Sequence, residues 1–297
     1  MNFKENQQRY ADLVNAFLDN YVKENDLLEK SVYSAMRYSL LAGGKRLRPV
    51  LALAVCELLG GDINEVMPFA CAIEMVHTYS LIHDDLPAMD NDDFRRGKLT
   101  NHKKFGEAIA ILAGDGLLNL AFELMIESTA TDNCNNAVQK VKAMSYIAKS
   151  SGIHGMIAGQ VIDTESENKE VAYETLEYMH KCKTGALIKA PVVSSAIICN
   201  ASEEDLRSLE AYAGNLGLAF QIKDDILDVE GSTEKLGKKV GSDESNKKTT
   251  YVSLYGLEKS KQMLRETTEE AIKNIGKFGP NANFLRELAE YLIVREM

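Results

Sequence analysis

Apolar residues recur at steps of three and four along most of the chain. Tyr10, Leu13, Phe17 and Tyr21 mark one stripe, Leu206, Leu209, Leu216 and Phe220 a second, and Leu285, Leu288 and Leu292 a third. That spacing puts each set on one face of an α-helix, whereas a strand alternates every second residue. Only five prolines interrupt the pattern, and no series of alternating strands, GxGxxG turn or P-loop is present. The first helix is expected to end near Asn25, with Asp26 capping the next within VKENDLLEKSVYSAMRYSLL. TATDNCNN at 129–136 reads as a turn between helices, and TESENKEVAYE from Thr164 as a polar connection. The expectation is an all-α chain of ten or more helices, a single domain over 1–297 with no dividing linker. Two stretches resist the helical period, 87–104 and 230–251. Loops of this length inside a compact domain are uncommon unless they are functional.

Composition narrows the class. Hydrophobic residues make up 45% of the 297, enough for a substantial core. The net charge of −10, from 34 basic and 44 acidic residues, disfavours wholesale binding to nucleic acid or an anionic membrane. Any anionic ligand then needs cations gathered locally, or a metal. The five cysteines, Cys56, Cys71, Cys134, Cys182 and Cys199, form no CxxC pair, and read as reduced thiols of a cytoplasmic protein. The polar N-terminus lacks a signal-peptide core. ALIKAPVVSSAIIC, the apolar stretch nearest a spanning length, is too short and contains Lys189 and Pro191, so no membrane span is expected.

The chemistry concentrates in two aspartate clusters, Asp84-Asp85-Leu86-Pro87-Ala88-Met89-Asp90 and Asp224-Asp225-Ile226-Leu227-Asp228. Residues four apart share a helix face, so Asp224 and Asp228 project together, Gln221 lies one turn earlier, and Asp225 sits to the side. His77 and Ser80 share the face of Asp84. Like charges at this spacing cost helix stability. One such pair reads most simply as a solvated face. Two pairs, each following apolar sequence (MVHTYSLIH and LGLAFQI), point to a cleft and to a divalent cation held there. Carboxylates without a His/Cys set suggest magnesium, which is shared between one or two carboxylates and substrate phosphates. No EF-hand or zinc spacing is present.

Cations answer the aspartates: Lys45, Arg46 and Arg48 after Gly43-Gly44; Arg95 and Arg96 after the first cluster; Lys183 beside Thr184; Lys238, Lys239, Lys247 and Lys248 in the late loop. Arg46 or Lys239 alone reads as a surface charge. Together they suggest two anion sites, one read directly by cations and one bridged by metal.

In order, GGKRLRP, DDLPAMDNDDFRRG, GQVID, KTG, FQIKDDILD and LGKKVGSD are present, and by these motifs the chain resembles the trans-isoprenyl diphosphate synthases, in particular the bacterial-type farnesyl enzymes, from about Gly43 to the C-terminus. The resemblance implies the isoprenoid synthase fold, with helices around a deep central cavity, and a homodimer. It implies three Mg2+ ions on an allylic diphosphate, held mainly by Asp84, Asp90 and Asp224, with Asp85, Asp228 and Asp243 as helpers. Arg95, Lys183, Thr184, Gln221, Lys238 and Lys247 would surround the allylic diphosphate (dimethylallyl, then geranyl), with Lys248 competing for the place of Lys247. Lys45, Arg48, His77 and Arg96 would bind isopentenyl diphosphate, and Gln160 and Asp163 would stand near the metals. Taken by itself, His77 reads equally as a core histidine. Catalytic weight falls on Asp84, Asp90, Asp224, Lys183 and Arg95: ionisation of the allylic C–O bond, attack by the isopentenyl double bond, and loss of a proton to the departing diphosphate.

Tyr79 and Ser80, five and four residues before Asp84, are implied to floor the product tunnel. With the Pro87-Ala88 insertion they fit a fifteen-carbon product. The alternative for Tyr79 is plain packing between helices. A geranylgeranyl diphosphate synthase is the nearest competing expectation. A class I terpene cyclase would carry a different second motif and would lack the second diphosphate substrate to which GGKRLRP points, a non-catalytic regulatory subunit would be expected to lack an aspartate or key cation, and an acidic metal-binding scaffold would bind magnesium without diphosphate.

Overall fold

The computed structural model describes residues 2–23, 28–130, 136–166, 169, 171–230 and 249–294. Helix α1 (Phe3–Tyr21) opens with a capping box. The Asn2 side chain accepts from the Glu5 N–H, and the Glu5 carboxylate accepts from the Asn2 N–H. The helix ends at Tyr21, earlier than the expected Asn25, and its buried stripe is Tyr10, Val14 and Leu18. Leu13 is exposed, so the periodic reading ran one residue off the core face there. Helix α2 (Lys30–Leu40) has Glu29 as its N-cap residue, with no side-chain bond to the helix. Asp26, expected in that place, lies outside the described residues.

Helices α3 (Leu47–Leu58), α4 (Ile63–Asp84) and α10 (Ala186–Ile198) form the centre. All three are apolar nearly all round, the signature of helices buried on every side. Helix α10 packs on α3, α4, α7 (Ala137–Ser151) and α11 (Glu203–Glu230). Ser195 Oγ donates to the Ala52 carbonyl at 2.7 Å, which ties α10 to α3 with a buried hydroxyl satisfied.

Helix α6 (Glu107–Thr129) lies along α4. Its approach requires Gly114, where a Cβ would fall 2.1 Å from the His83 ring. The α6 sequence is longer and more apolar than the stretch singled out at 186–199, with a mean hydropathy of 1.7 over 18 residues. By length and composition it is the one helix among the described residues able to cross a membrane; its Ala110, Ala113, Leu117, Ala121 and Met125 are buried in the core.

The first non-helical stretch, 87–104, is partly ordered. Helix α4 stops at Asp84, because Pro87 cannot continue it. A two-stranded hairpin follows, β1 (Phe94–Arg95) paired with β2 (Lys98–Leu99). Its two-residue loop is Arg96-Gly97, with φ of 53° and 72°, as a primed turn requires. Helix α5 (Asn101–Phe105) begins before Lys104, so the loop is shorter than expected.

Helix α8 (Met156–Glu165) and α9 (Tyr173–His180) lead into a π-helical turn, Lys181–Gly185, just before α10. Gly159 of α8 touches this turn; a Cβ there would lie 2.2 Å from the Lys183 nitrogen. Gly217 of α11 meets Gly185 in the same way, at 3.1 Å. The chain closes with α12 (Tyr251–Tyr255), α13 (Leu257–Asn274), a 3-10 segment (Gly276–Ala282) and α14 (Asn283–Val294). The second long stretch, 230–251, lies mostly outside the described residues.

Candidate active site

The end of α4 carries the first aspartate cluster. Asp84 is half-buried, and the Gln160 side-chain amide donates to its carboxylate. Burial pushes the Asp84 carboxyl up to about 6; Lys183 and Arg95 draw it down, while Asp90 and Asp163 raise it further. Asp90 is exposed, and its backbone N–H donates to the Asp84 carbonyl at 2.9 Å. The turn after the helix therefore brings Asp90 back beside Asp84. Asp85, expected as a helper to the metal, is buried and paired with Arg95, whose Nε lies 2.7 Å and Nη2 2.6 Å from its Oδ1.

On the facing elements, Lys183 Nζ lies 2.5 Å from Asp163 Oδ2, so the GQVID and KTG segments meet. A helix closed by i→i+5 bonds is rare and concentrates at functional sites. Here that wider turn carries both Lys183 and Thr184. Thr184 Oγ1 donates to Gln221 Oε1 at 3.0 Å. Asp224 is half-buried on α11 and Asp228 buried one turn on.

The other cations surround His77, two turns before Asp84. Burial lowers the His77 pKa well below its usual range, and Arg48, Arg96, Arg95 and Arg46 lower it further, so the imidazole is neutral at pH 7. Ser80 Oγ donates to the His77 carbonyl at 2.9 Å. Arg48 Nε is buried with no hydrogen-bond partner. Burial lowers the Arg48 pKa to about 10, with Glu74 and Asp224 opposing and Arg96 adding to the effect. A buried donor without a partner is costly unless a ligand supplies the acceptor. Arg96 donates to the Gly43 carbonyl, its guanidinium against Gly44, so the hairpin and the double glycine hold one another. Lys45 Nζ lies 5.6 Å from the Tyr291 ring centroid.

Arg46 corrects the surface reading. It is 3% exposed and adopts a left-handed φ of 49°. Its guanidinium donates to Glu74 at 2.7 Å, Asn15 at 2.9 Å and the Leu40 carbonyl at 2.6 Å, joining α1, α2 and α4. Glu74 and Asn15 were not singled out in the sequence, though a glutamate inside FACAIEMVH was a visible signal. Tyr79 is 7% exposed and meets the His83 ring edge-on at 5.7 Å. Lys238, Lys239, Asp243, Lys247 and Lys248 lie outside the described residues.

The donor set around Asp84 is all oxygen. Among the described residues no three acidic, His or Cys groups form a metal cluster by themselves. A partly buried carboxylate with a raised pKa, beside Asp90 and Asp163, fits a hard cation that completes its shell with ligand oxygens, which is the habit of magnesium. The described site thus combines arginines around a neutral histidine with carboxylates suited to magnesium. Chemically, such an arrangement can hold anionic groups both directly and through a hard cation.

The comparisons agree. The profile of the polyprenyl synthetase family matches residues 29–283. Over 284 residues the chain is 46% identical to a farnesyl diphosphate synthase of Micrococcus luteus, covering 96% of each. It is 49% identical over 265 residues to a geranylgeranyl diphosphate synthase of Cyanophora paradoxa, covering 89% of this chain and 87% of that one. The crystal structure of an FPP/GFPP synthase from Zymomonas mobilis superposes with a TM-score of 0.87 at 35% identity, over 98% of this chain and 99% of the other. The chain belongs to the polyprenyl synthetase family. Prenyl diphosphate synthases generally use Mg2+.

Proposed function

We propose that the protein is a farnesyl diphosphate synthase, condensing isopentenyl diphosphate with dimethylallyl and then geranyl diphosphate. The observation that carries this is the pairing, two turns apart on α4, of a cation pocket with a carboxylate centre suited to a metal. One is the arginine pocket at His77, with the unpartnered Arg48 Nε. The other is Asp84, with Gln160, Lys183 and Arg95 around it. The first receives the diphosphate of isopentenyl diphosphate through Lys45, Arg48, Arg96 and an N–H of neutral His77. The second receives the allylic diphosphate, with Arg95, Lys183, Thr184 and Gln221 as donors and Asp84, Asp90 and Asp224 toward the metals.

Asp84, Asp90 and Asp224 would hold magnesium, three ions in this reading, and the metal would supply positive charge to shield the diphosphate and favour its departure from the allylic carbon. Lys183 and Arg95 add fixed positive charge where negative charge develops as that bond breaks. The isopentenyl double bond attacks the allylic carbon, and the proton leaves to the departing diphosphate. Asp85, Asp228 and Asp243 act as outer helpers, and Lys238 and Lys247 complete the cation set. The chain acts as one domain, in the cytoplasm. The exposed Ile111, Leu112 and Ile126 on one side of α6 support a homodimer through that face. Tyr79, beside Ser80, limits the product to fifteen carbons.

The test is release of inorganic pyrophosphate from purified protein. Release is expected only when dimethylallyl diphosphate, isopentenyl diphosphate and Mg2+ are present together. Release from the allylic substrate alone would favour hydrolysis or cyclisation, and no release under any condition would contradict the proposal.

A further inference from the structure

Asp225 is the aspartate of the second cluster that the sequence set to the side. It is 3% exposed, and its two oxygens are already engaged. Oδ1 accepts from Gln221 Nε2 at 2.9 Å, one helical turn back. Oδ2 accepts from the Tyr251 backbone N–H at 2.8 Å, at the start of α12. Gln221 in turn accepts from Thr184, inside the π-helical turn. The Tyr251 ring stacks on His180 at 5.5 Å and 27°, and His180 is the residue entering that turn. These contacts form a circuit completed by the backbone of the turn: Asp225 to Gln221 to Thr184, along the turn to His180, then to Tyr251 and back to Asp225.

We infer that Asp225 is a positioning residue for the allylic diphosphate site, acting by fixing the π-helical turn that presents Lys183 and Thr184. This rests on the functional reading above and deepens it. The reason is geometric. A turn closed by i→i+5 bonds departs from the regular helix, and departures of this kind persist when surrounding contacts over-determine them. Asp225 reaches the turn from both ends, through Gln221 to Thr184 and through Tyr251 to His180. It also fixes the Gln221 amide, since a carboxylate can only accept, so Gln221 must offer its NH2 to Asp225 and its carbonyl oxygen to Thr184. In Asp225→Asn, an oxygen can still serve Tyr251, but the new NH2 then faces the NH2 of Gln221. The Gln221 amide must turn over, and the bond with Thr184 reverses or breaks.

The experiment compares wild type, Asp225→Asn and Asp224→Asn. Affinity for inorganic pyrophosphate is measured by calorimetry at saturating Mg2+, and turnover kinetics are measured with both substrates. For Asp225→Asn the expected result is a loss of about tenfold in pyrophosphate affinity and a matching rise in KM for the allylic substrate, the scale of one charge-assisted hydrogen bond. KM for isopentenyl diphosphate stays within twofold. With enzyme saturated in allylic substrate, the half-saturating Mg2+ concentration also stays within twofold, whereas Asp224→Asn raises it. A Mg2+ requirement raised as much in Asp225→Asn as in Asp224→Asn would make Asp225 a metal ligand and overturn the inference. So would an unchanged pyrophosphate affinity, or an equal rise in both KM values. If Asp225→Asn does not fold, Asp225→Glu, which displaces the same carboxylate by one methylene, carries the same expectations. A wild type that binds pyrophosphate but makes no product would instead sink the functional reading, with the pyrophosphate comparison still deciding the role of Asp225.

Discussion

Arg46 and Glu74 show how much one buried pair can set. Their side chains are 1% and 3% exposed and 2.7 Å apart, between the two cations, Lys45 and Arg48, proposed to meet isopentenyl diphosphate. Arg46 stands in a left-handed conformation that costs a non-glycine residue energy, and its three acceptors hold it there. Removing one partner of a buried pair leaves an uncompensated charge, which costs about 3–5 kcal/mol. Glu74→Gln is therefore expected to lower the unfolding free energy by about that amount, measured by chemical denaturation. A change under about 0.5 kcal/mol, the scale of an exposed pair, would contradict this account. The same residues mark a limit of the sequence. Asp84 stood out in the sequence through its aspartate-rich motif, Lys183 through KTG, and His77 only through the family resemblance. The burial of Arg46 was not legible, because nothing in GGKRLRP separates a cation pointing at a ligand from one pointing at a glutamate 28 residues away.

The helices themselves were legible, because periodicity of apolar residues sets them and burial enforces it. Their ends were less so. Helix α1 stops four residues before the expected Asn25, and α5 takes residues assigned to the loop. The π-helical turn was invisible, since its wider closure is imposed by neighbours: Gly159 on one side, Gly217 on another, and the Thr184 bond to Gln221. That gives the turn a testable dependence. Gly159→Ala places a Cβ 2.2 Å from the Lys183 nitrogen, so the turn must shift by a good fraction of an ångström. Displacements of about 1 Å cost on the order of a hundredfold in rate. A drop of that order in kcat/KM is expected for Gly159→Ala, against little change for Gly214→Ala, whose Cβ meets nothing within 4 Å. Equal effects of the two, in a steady-state assay, would remove the turn from the account.

Across the whole molecule, a chain of net charge −10 gathers Arg48, Arg95, Arg96 and Lys183, from the start of α3, the hairpin and the π-helical turn, around His77 and Asp84 of α4. Carboxylates are interleaved with these cations, Asp85 paired with Arg95 and Glu74 with Arg46, so the cations do not form a general polyanion surface. Fold and chemical class follow from the family. Product length does not, because relatives at 46% and 49% identity carry the names of both a fifteen-carbon and a twenty-carbon synthase. The proposal assigns it to one side chain, Tyr79, buried on α4 five residues before Asp84. The most direct measurement is the chain length made from labelled isopentenyl diphosphate and dimethylallyl diphosphate with Mg2+, sized by chromatography after dephosphorylation, for wild type and Tyr79→Ala. The account predicts a dominant fifteen-carbon alcohol from wild type and longer alcohols from Tyr79→Ala. A dominant twenty-carbon alcohol from wild type, or an unchanged product from Tyr79→Ala, would contradict it.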